Sequence, residues 1–109
     1  RYPELALLFA IPNGAKLPWR KNASGQRYSP EAMRLKKEGL KPGVPDICLP
    51  VPVGKYHGLF CELKHGYNKP SPEQRAWIAA LTEQGYCVVV AWGWEQVIQF
   101  IQDYMERRI

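Results

Sequence analysis

Residues 71–108 read as helix, strand, helix, and the strand is apolar on both of its faces. Tyr86-Cys-Val-Val-Val-Ala-Trp92 holds no charge and no proline. Side chains alternate faces along a strand, so a run without alternation needs apolar cover on each side and predicts a central strand. The helix before it opens at Ser71-Pro72-Glu73-Gln74, a capping box with proline at the first helical position, and stops at Gly85. Ala76, Trp77, Ala80 and Leu81 predict its apolar stripe. After Gly93, Trp94 to Arg108 is amphipathic, with Val97, Ile98, Ile101 and Met105 expected inward. A strand from Tyr56 to Lys64 precedes the capped helix, and this alternation implies a right-handed crossover. The expected class is α/β (α+β), a mixed central β-sheet flanked by helices.

Pro45 to Val53 and Tyr56 to Lys64 read as two strands joined at Val53-Gly54-Lys55. Pro50 and Pro52 cannot donate to a ladder, so the later half of the first strand must form an edge or leave the sheet. Leu5 to Ile11 is a short apolar run of undecided type, closed by the turn Pro12-Asn13-Gly14. The polar stretch that follows, to Tyr28, reads as a loop. Ser29-Pro30-Glu31 then opens a helix that Gly39 stops. A chain of 109 residues suffices for one core. No apolar run approaches the ~20 residues of a membrane span, and nothing resembles a signal peptide. Cys48, Cys61 and Cys87 lie in apolar strand-like runs and fit no zinc spacing. They are expected as free buried thiols, which favours a reducing cytoplasm.

The formal net charge is +5, unevenly placed. Residues 1–64 carry 11 Lys/Arg against 5 Asp/Glu, whereas residues 65–109 carry 4 against 5. The densest stretch holds Lys16, Arg20, Lys21, Arg27, Arg34, Lys36, Lys37 and Lys41, opposed only by Glu31 and Glu38. Such a segment attracts a polyanion, with phosphate backbones the obvious choice. A solvated face explains it equally well, and charge alone does not decide. Trp19, beside Arg20 and Lys21, suits stacking on an unpaired base or anchoring a loop to the core. Lys69 precedes the capped helix, whose N-terminus can help hold a phosphate.

A hairpin folded around Gly54 or Lys55 brings Asp46 across from the Glu62–Lys64 end of its partner. Glu62 and Lys64 share a face and Leu63 takes the other. Two carboxylates this close resist joint ionisation unless a cation neutralises them. A divalent metal does so, and Mg²⁺ is satisfied by one or two carboxylates with waters and phosphate oxygens. A nearby lysine then orients the nucleophile or stabilises developing charge. An ordinary cross-strand ion pair accounts for the same three residues. His57 at the hairpin tip and His65, turned away from the cluster, have no evident chemical role. Trp77, Trp92 and Trp94 read as packing residues.

Gly43-Val44-Pro45-Asp46, then Glu62-Leu63-Lys64 after 15 residues, then Ser71-Pro72-Glu73-Gln74, resembles the PD-(D/E)xK nuclease superfamily. Within it the chain is similar to the virus-type replication-repair nuclease (VRR-NUC) domain, in its small stand-alone phage and bacterial form. Ile11-Pro12-Asn13-Gly14, Glu38-Gly39 and Tyr56-His57-Gly58-Leu59 add to the likeness, which runs from about Pro3 to the C-terminus. The resemblance implies a restriction-endonuclease-like core and a DNA endonuclease dependent on Mg²⁺ or Mn²⁺. It implies Asp46, Glu62 and the Leu63 carbonyl as metal ligands and Lys64 as the catalytic lysine. Gln74 would support the active site, although its capping-box position suits it to the helix alone. DNA contacts are expected from Lys16, Trp19, Arg20, Lys21, Arg27, Lys36, Lys37, Lys41 and Lys69. Stand-alone relatives imply a homodimer acting on branched DNA such as Holliday junctions, in the cytoplasm of a bacterium or phage-infected host. The superfamily often takes a further acidic residue from a first helix. The expected domain spans 1–109, opening on Arg1 rather than Met, with part of that helix as the element it could lack. A non-catalytic nucleic-acid-binding module is the competing expectation.

Overall fold

The computed structural model describes residues 2–12, 20–21, 23–25, 27–28, 30, 33–34 and 41–109. They fall into two compact units, one formed by residues 1–11 with 43–109 and the other by residues 12–42. In the smaller unit β2 (Arg20–Lys21) pairs antiparallel with β3 (Arg27–Tyr28). The turn between them carries Gly25 at φ +84°, a left-handed backbone that glycine adopts freely. The loop expected up to Tyr28 therefore contains a hairpin. Its two-residue strands are too short to show any alternation in sequence. Pro30, Met33 and Arg34 are helical, as the Ser29-Pro30 start predicts, while Gly39 lies outside the described residues.

The larger unit opens with a 3₁₀ turn, Pro3–Leu7, which leads into β1 (Phe9–Ala10). Its sheet has the order β1, β4 (Ile47–Leu49), β5 (Leu59–Lys64), β6 (Cys87–Trp92). The first three strands are antiparallel neighbours, and β6 lies parallel to β5 after a connection through α1 (Pro72–Glu83). The last helix is α2 (Trp94–Met105). The sheet is mixed and flanked by helices, so the α/β expectation holds.

The β4–β5 hairpin turns at Gly54, φ +58°, where Val53 and Tyr56 exchange hydrogen bonds of 3.1 and 3.0 Å. Three residues separate Leu49 from Val53, whereas two separate Tyr56 from Leu59. The extra residue falls between Pro50 and Pro52, where the Val51 N–H folds back onto the Leu49 carbonyl at 2.9 Å. Proline's missing donor thus ends β4 at Leu49, and the later half of that segment leaves the ladder, as its sequence implies.

Alternation along β5 sorts its side chains. Leu59, Cys61 and Leu63 join Ile47, Leu49, Cys87, Val89 and Ala91 in a core closed by Val97, Phe100, Ile101 and Tyr104 of α2. On the other face Phe60 meets the Tyr86 ring edge-on at 5.3 Å, and Lys64 reaches α1. All three cysteines are free and buried.

Four expectations are corrected. Among the described residues β6 is an edge strand of its sheet, not a central one. Its two apolar faces reflect a helix packed on each side rather than a strand on each side. In α1 the inward stripe is Gln74, Trp77, Ile78 and Leu81, while Ala76 and Ala80 are exposed. A polar residue thus takes a place that hydrophobicity alone would assign elsewhere. In α2 Ile98 is 62% exposed, and the buried stripe runs through Val97, Ile101 and Tyr104. Trp92 and Trp94 are exposed rather than packed, at the end of β6 and the start of α2, where neither helix covers them.

Candidate active site

The register that pairs Ile47 with Cys61, extended by one residue, sets Asp46 opposite Glu62. Both carboxylates are buried, at 6% and 1% exposure. Asp46 lies immediately before β4, because Pro45 cannot continue the ladder in that direction. Its Oδ2 accepts a hydrogen bond from the Leu63 N–H at 2.8 Å, in place of the backbone partner that the ladder would have supplied. Ile11 N–H donates to the Asp46 carbonyl at 2.7 Å, so the chain beyond β1 holds Asp46 from its other side.

The Leu63 carbonyl has a predictable direction. Backbone groups alternate sides along a strand, and the Gly58 and Lys64 carbonyls accept from Cys87 and Gly93 on the β6 side. That of Leu63 accordingly faces the β4 side, where Asp46 lies. Two buried carboxylates and a backbone carbonyl thus form an all-oxygen donor set, the hard ligand chemistry that suits Mg²⁺ or Mn²⁺. Among the described residues no group of three or more His, Cys, Asp or Glu could hold a metal. Two carboxylates leave several positions for waters and phosphate oxygens, which is how Mg²⁺ is ordinarily bound beside a phosphate. The residues fit the metal that the sequence implies. Burial pushes the neighbouring Cys61 thiol up to about 12, and the negative charges of Asp46 and Glu62 add to the effect. That thiol stays neutral and carries no chemistry.

Lys64 shares the Glu62 face. Its Nζ donates to Gln74 Oε1 at 2.6 Å, and the same oxygen accepts the Ser71 N–H at 2.8 Å. Ser71 Oγ in turn accepts the Gln74 N–H at 3.2 Å, completing the capping box. A carbonyl oxygen has two lone pairs, and here one serves the helix cap while the other serves the lysine. The two roles open to Gln74 in the sequence therefore meet in one atom. Four residues scattered from 46 to 74 are brought together by one hairpin and one helix start.

A contributor that sequence reasoning overlooked is Gly43, at φ +90°. A Cβ there would stand 2.6 Å from the carbonyl carbon of Glu73 and 2.7 Å from its oxygen. Only glycine lets the strand that delivers Asp46 rest directly on the first turn of α1, beside Gln74. Its place three residues before Asp46 was visible, but a close approach to residue 73 was not.

The expected DNA-contacting residues divide. Lys41 and Lys69 are exposed. The backbone positions of Arg20, Lys21 and Arg27 gather in the β2–β3 hairpin, with Lys21 opposite Arg27 in register. Lys16, Trp19, Lys36 and Lys37 lie outside the described residues. His57 supports the hairpin tip: its N–H donates to the Gly85 carbonyl at 2.9 Å and its ring meets Tyr86 edge-on. No described helix is long and apolar enough to cross a membrane.

The family model of the VRR-NUC domain matches residues 11–94. A solved structure titled "VRR_NUC domain protein" is similar at 31% identity and a TM-score of 0.71, over 95% of this chain and 71% of that one. No curated protein matches the chain.

Proposed function

We propose, since this chain belongs to the VRR-NUC family of nuclease domains, that it is a metal-dependent DNA endonuclease selective for branched DNA such as Holliday junctions. The observation that carries this reading is the placement of Asp46 opposite Glu62, both buried, with Lys64 on the same face and held by Gln74. A structural ion pair needs neither two buried carboxylates nor a lysine tied to a helix cap.

Asp46, Glu62 and the Leu63 carbonyl would hold Mg²⁺ or Mn²⁺. When bound, the metal supplies an activated water and neutralises charge building on the phosphate. Lys64 directs its ammonium along the path set by Gln74, toward the attacking water or the developing oxyanion. Gln74 restricts that side chain, which removes rotamer freedom before substrate arrives. The basic segment, with Lys41 and Lys69, tracks the DNA backbone. A homodimer would place two such centres on one branched substrate.

The test is cleavage of a labelled four-way junction, a single strand and a linear duplex at matched low salt, with Mg²⁺, Mn²⁺ or EDTA. The reading expects metal-dependent cuts in the junction, loss of cutting in Asp46→Asn with binding retained, and a thermal shift on adding Mg²⁺ that Asp46→Asn lacks. DNA retarded but uncut in every metal would overturn it in favour of a binding module.

A further inference from the structure

Directly after Lys64 the chain makes a turn whose exposed residue the mechanism above does not use. Asn68 N–H donates to the His65 carbonyl at 3.1 Å, and Gly66 takes φ +57°, closing a four-residue turn with Tyr67 near its tip. Glycine supplies the left-handed position that such a turn requires. The turn is pinned once more, and the chain just after it is pinned as well. Trp92 Nε1 donates to the Asn68 carbonyl at 2.8 Å, and Arg75 Nη1 donates to the Pro70 carbonyl at 2.9 Å. The β5–β6 register sets Trp92 beside Lys64. The loop is thereby tied to β6 on one side and to α1 on the other.

Tyr67 is fully exposed, at 102%. A scattered apolar residue on a surface needs no explanation, but this one stands on an anchored turn. Trp92, 40% exposed, holds the same turn, and exposed Lys69 follows two residues later. Lys64 lies three residues before it. An exposed aromatic ring close in sequence to lysines, on a turn held by two hydrogen bonds with a third on the residue that leads into α1, has the chemistry that receives an unstacked base and its phosphate. The anchors order the backbone beneath the ring before the base arrives.

We propose that Tyr67 is a stacking platform for an unpaired nucleotide next to the scissile phosphate, with Lys69 on the adjoining phosphate. This rests on the nuclease reading and deepens it. The preferred DNA has bases unpaired or readily splayed beside the cut, as a branch point supplies and a continuous duplex does not.

The experiment separates stacking from cleavage by working in EDTA. Wild type, Tyr67→Ala and Tyr67→Phe are titrated onto a branched oligonucleotide carrying 2-aminopurine at an unpaired position, and onto a fully paired duplex. Stacking quenches the probe. Tyr67→Ala is expected to lose the quench and bind the branched DNA roughly 5- to 150-fold more weakly, the span covered by losing one base–aromatic stack. Duplex affinity stays unchanged, and Tyr67→Phe retains both quench and affinity. Equal quench and affinity in Tyr67→Ala and wild type would overturn the platform and leave the nuclease reading standing. Quenching that depends on Tyr67, in a protein that cuts nothing when metal is restored, would uphold base stacking by Tyr67 but defeat the nuclease reading, and with it the platform's place beside a scissile phosphate. Failure of wild type to bind any DNA would overturn both.

Discussion

Gly43→Ala tests whether the seat of α1 on the Asp46 segment is as tight as its geometry states. The new Cβ would meet Glu73 at 2.6 Å from C, 2.7 Å from O and 2.9 Å from Cβ. Ordinary carbon contacts lie at about 3.5–4.0 Å, so the helix start must retreat by about 1 Å. The obstructing atoms are mostly backbone and cannot rotate aside. An L-residue at this φ costs ~1–2 kcal/mol, and forcing the helix aside adds ~1–3 kcal/mol by analogy with overpacked cores. The expected loss is ~2–5 kcal/mol, a large part of the ~5–15 kcal/mol of a typical domain. Gly54→Ala is the matched control. Gly54 also has positive φ, at +58°, but nothing lies within 4 Å of a Cβ there, so only the backbone cost of ~1–2 kcal/mol applies. Urea denaturation of both variants beside wild type, with unchanged m-values, measures the difference. Cleavage by folded Gly43→Ala should fall further, because Gln74 sits one residue beyond the displaced Glu73 and positions Lys64. If Gly43→Ala loses no more stability than Gly54→Ala, the close approach is not a constraint and the reasoning fails.

Two further predictions concern the core. Tyr104 is 1% exposed and its hydroxyl donates to the Val51 carbonyl at 2.6 Å, across the extra residue that the prolines force on the hairpin. Tyr104→Phe should cost about 1–3 kcal/mol by leaving that carbonyl without its donor, and a denaturation midpoint equal to wild type would show the bond to be unimportant. Burial pushes the Cys48, Cys61 and Cys87 thiols up, Cys61 to about 12 from an ordinary 9.0. Between those two values for Cys61 the folded chain retains a proton that the unfolded chain releases, so its contribution to stability is full below pH 9 and declines as pH rises toward 12, and the other two raised thiols act in the same direction. Urea midpoints should drop from pH 8 to pH 10, less steeply in Cys61→Ala. An equal slope in the variant would refute the assignment.

Local rules in the sequence determine the capped helix, the hairpin centred on Gly54 and the loss of the Pro50–Pro52 segment from the ladder. Each depends on neighbours a few residues away: a serine hydroxyl reaching Gln74, a glycine taking positive φ, a proline lacking a donor. Counting outward from the Val53–Tyr56 pair sets Asp46 at the Glu62–Lys64 end, so the neighbourhood of the candidate site was legible as well. But that count puts Leu63 opposite it, and only the extra residue between Pro50 and Pro52 shifts the register to Glu62. Tertiary packing decided the rest. The apolar character of β6 reports that both its faces are covered, but not whether a second strand lies beyond it. Helical periodicity predicts a stripe on α2, but rotation of the helix against the sheet chose Tyr104 over Ile98. A hydrophobic scale cannot rank Gln74 as inward, because what draws it in is the lysine across the gap. Gly43 touches residue 73 and Trp92 touches residue 68 only after the sheet and helices have assembled. Contacts within one turn or hairpin are set by bond geometry that the chain carries everywhere, whereas contacts between elements depend on how whole surfaces settle against each other.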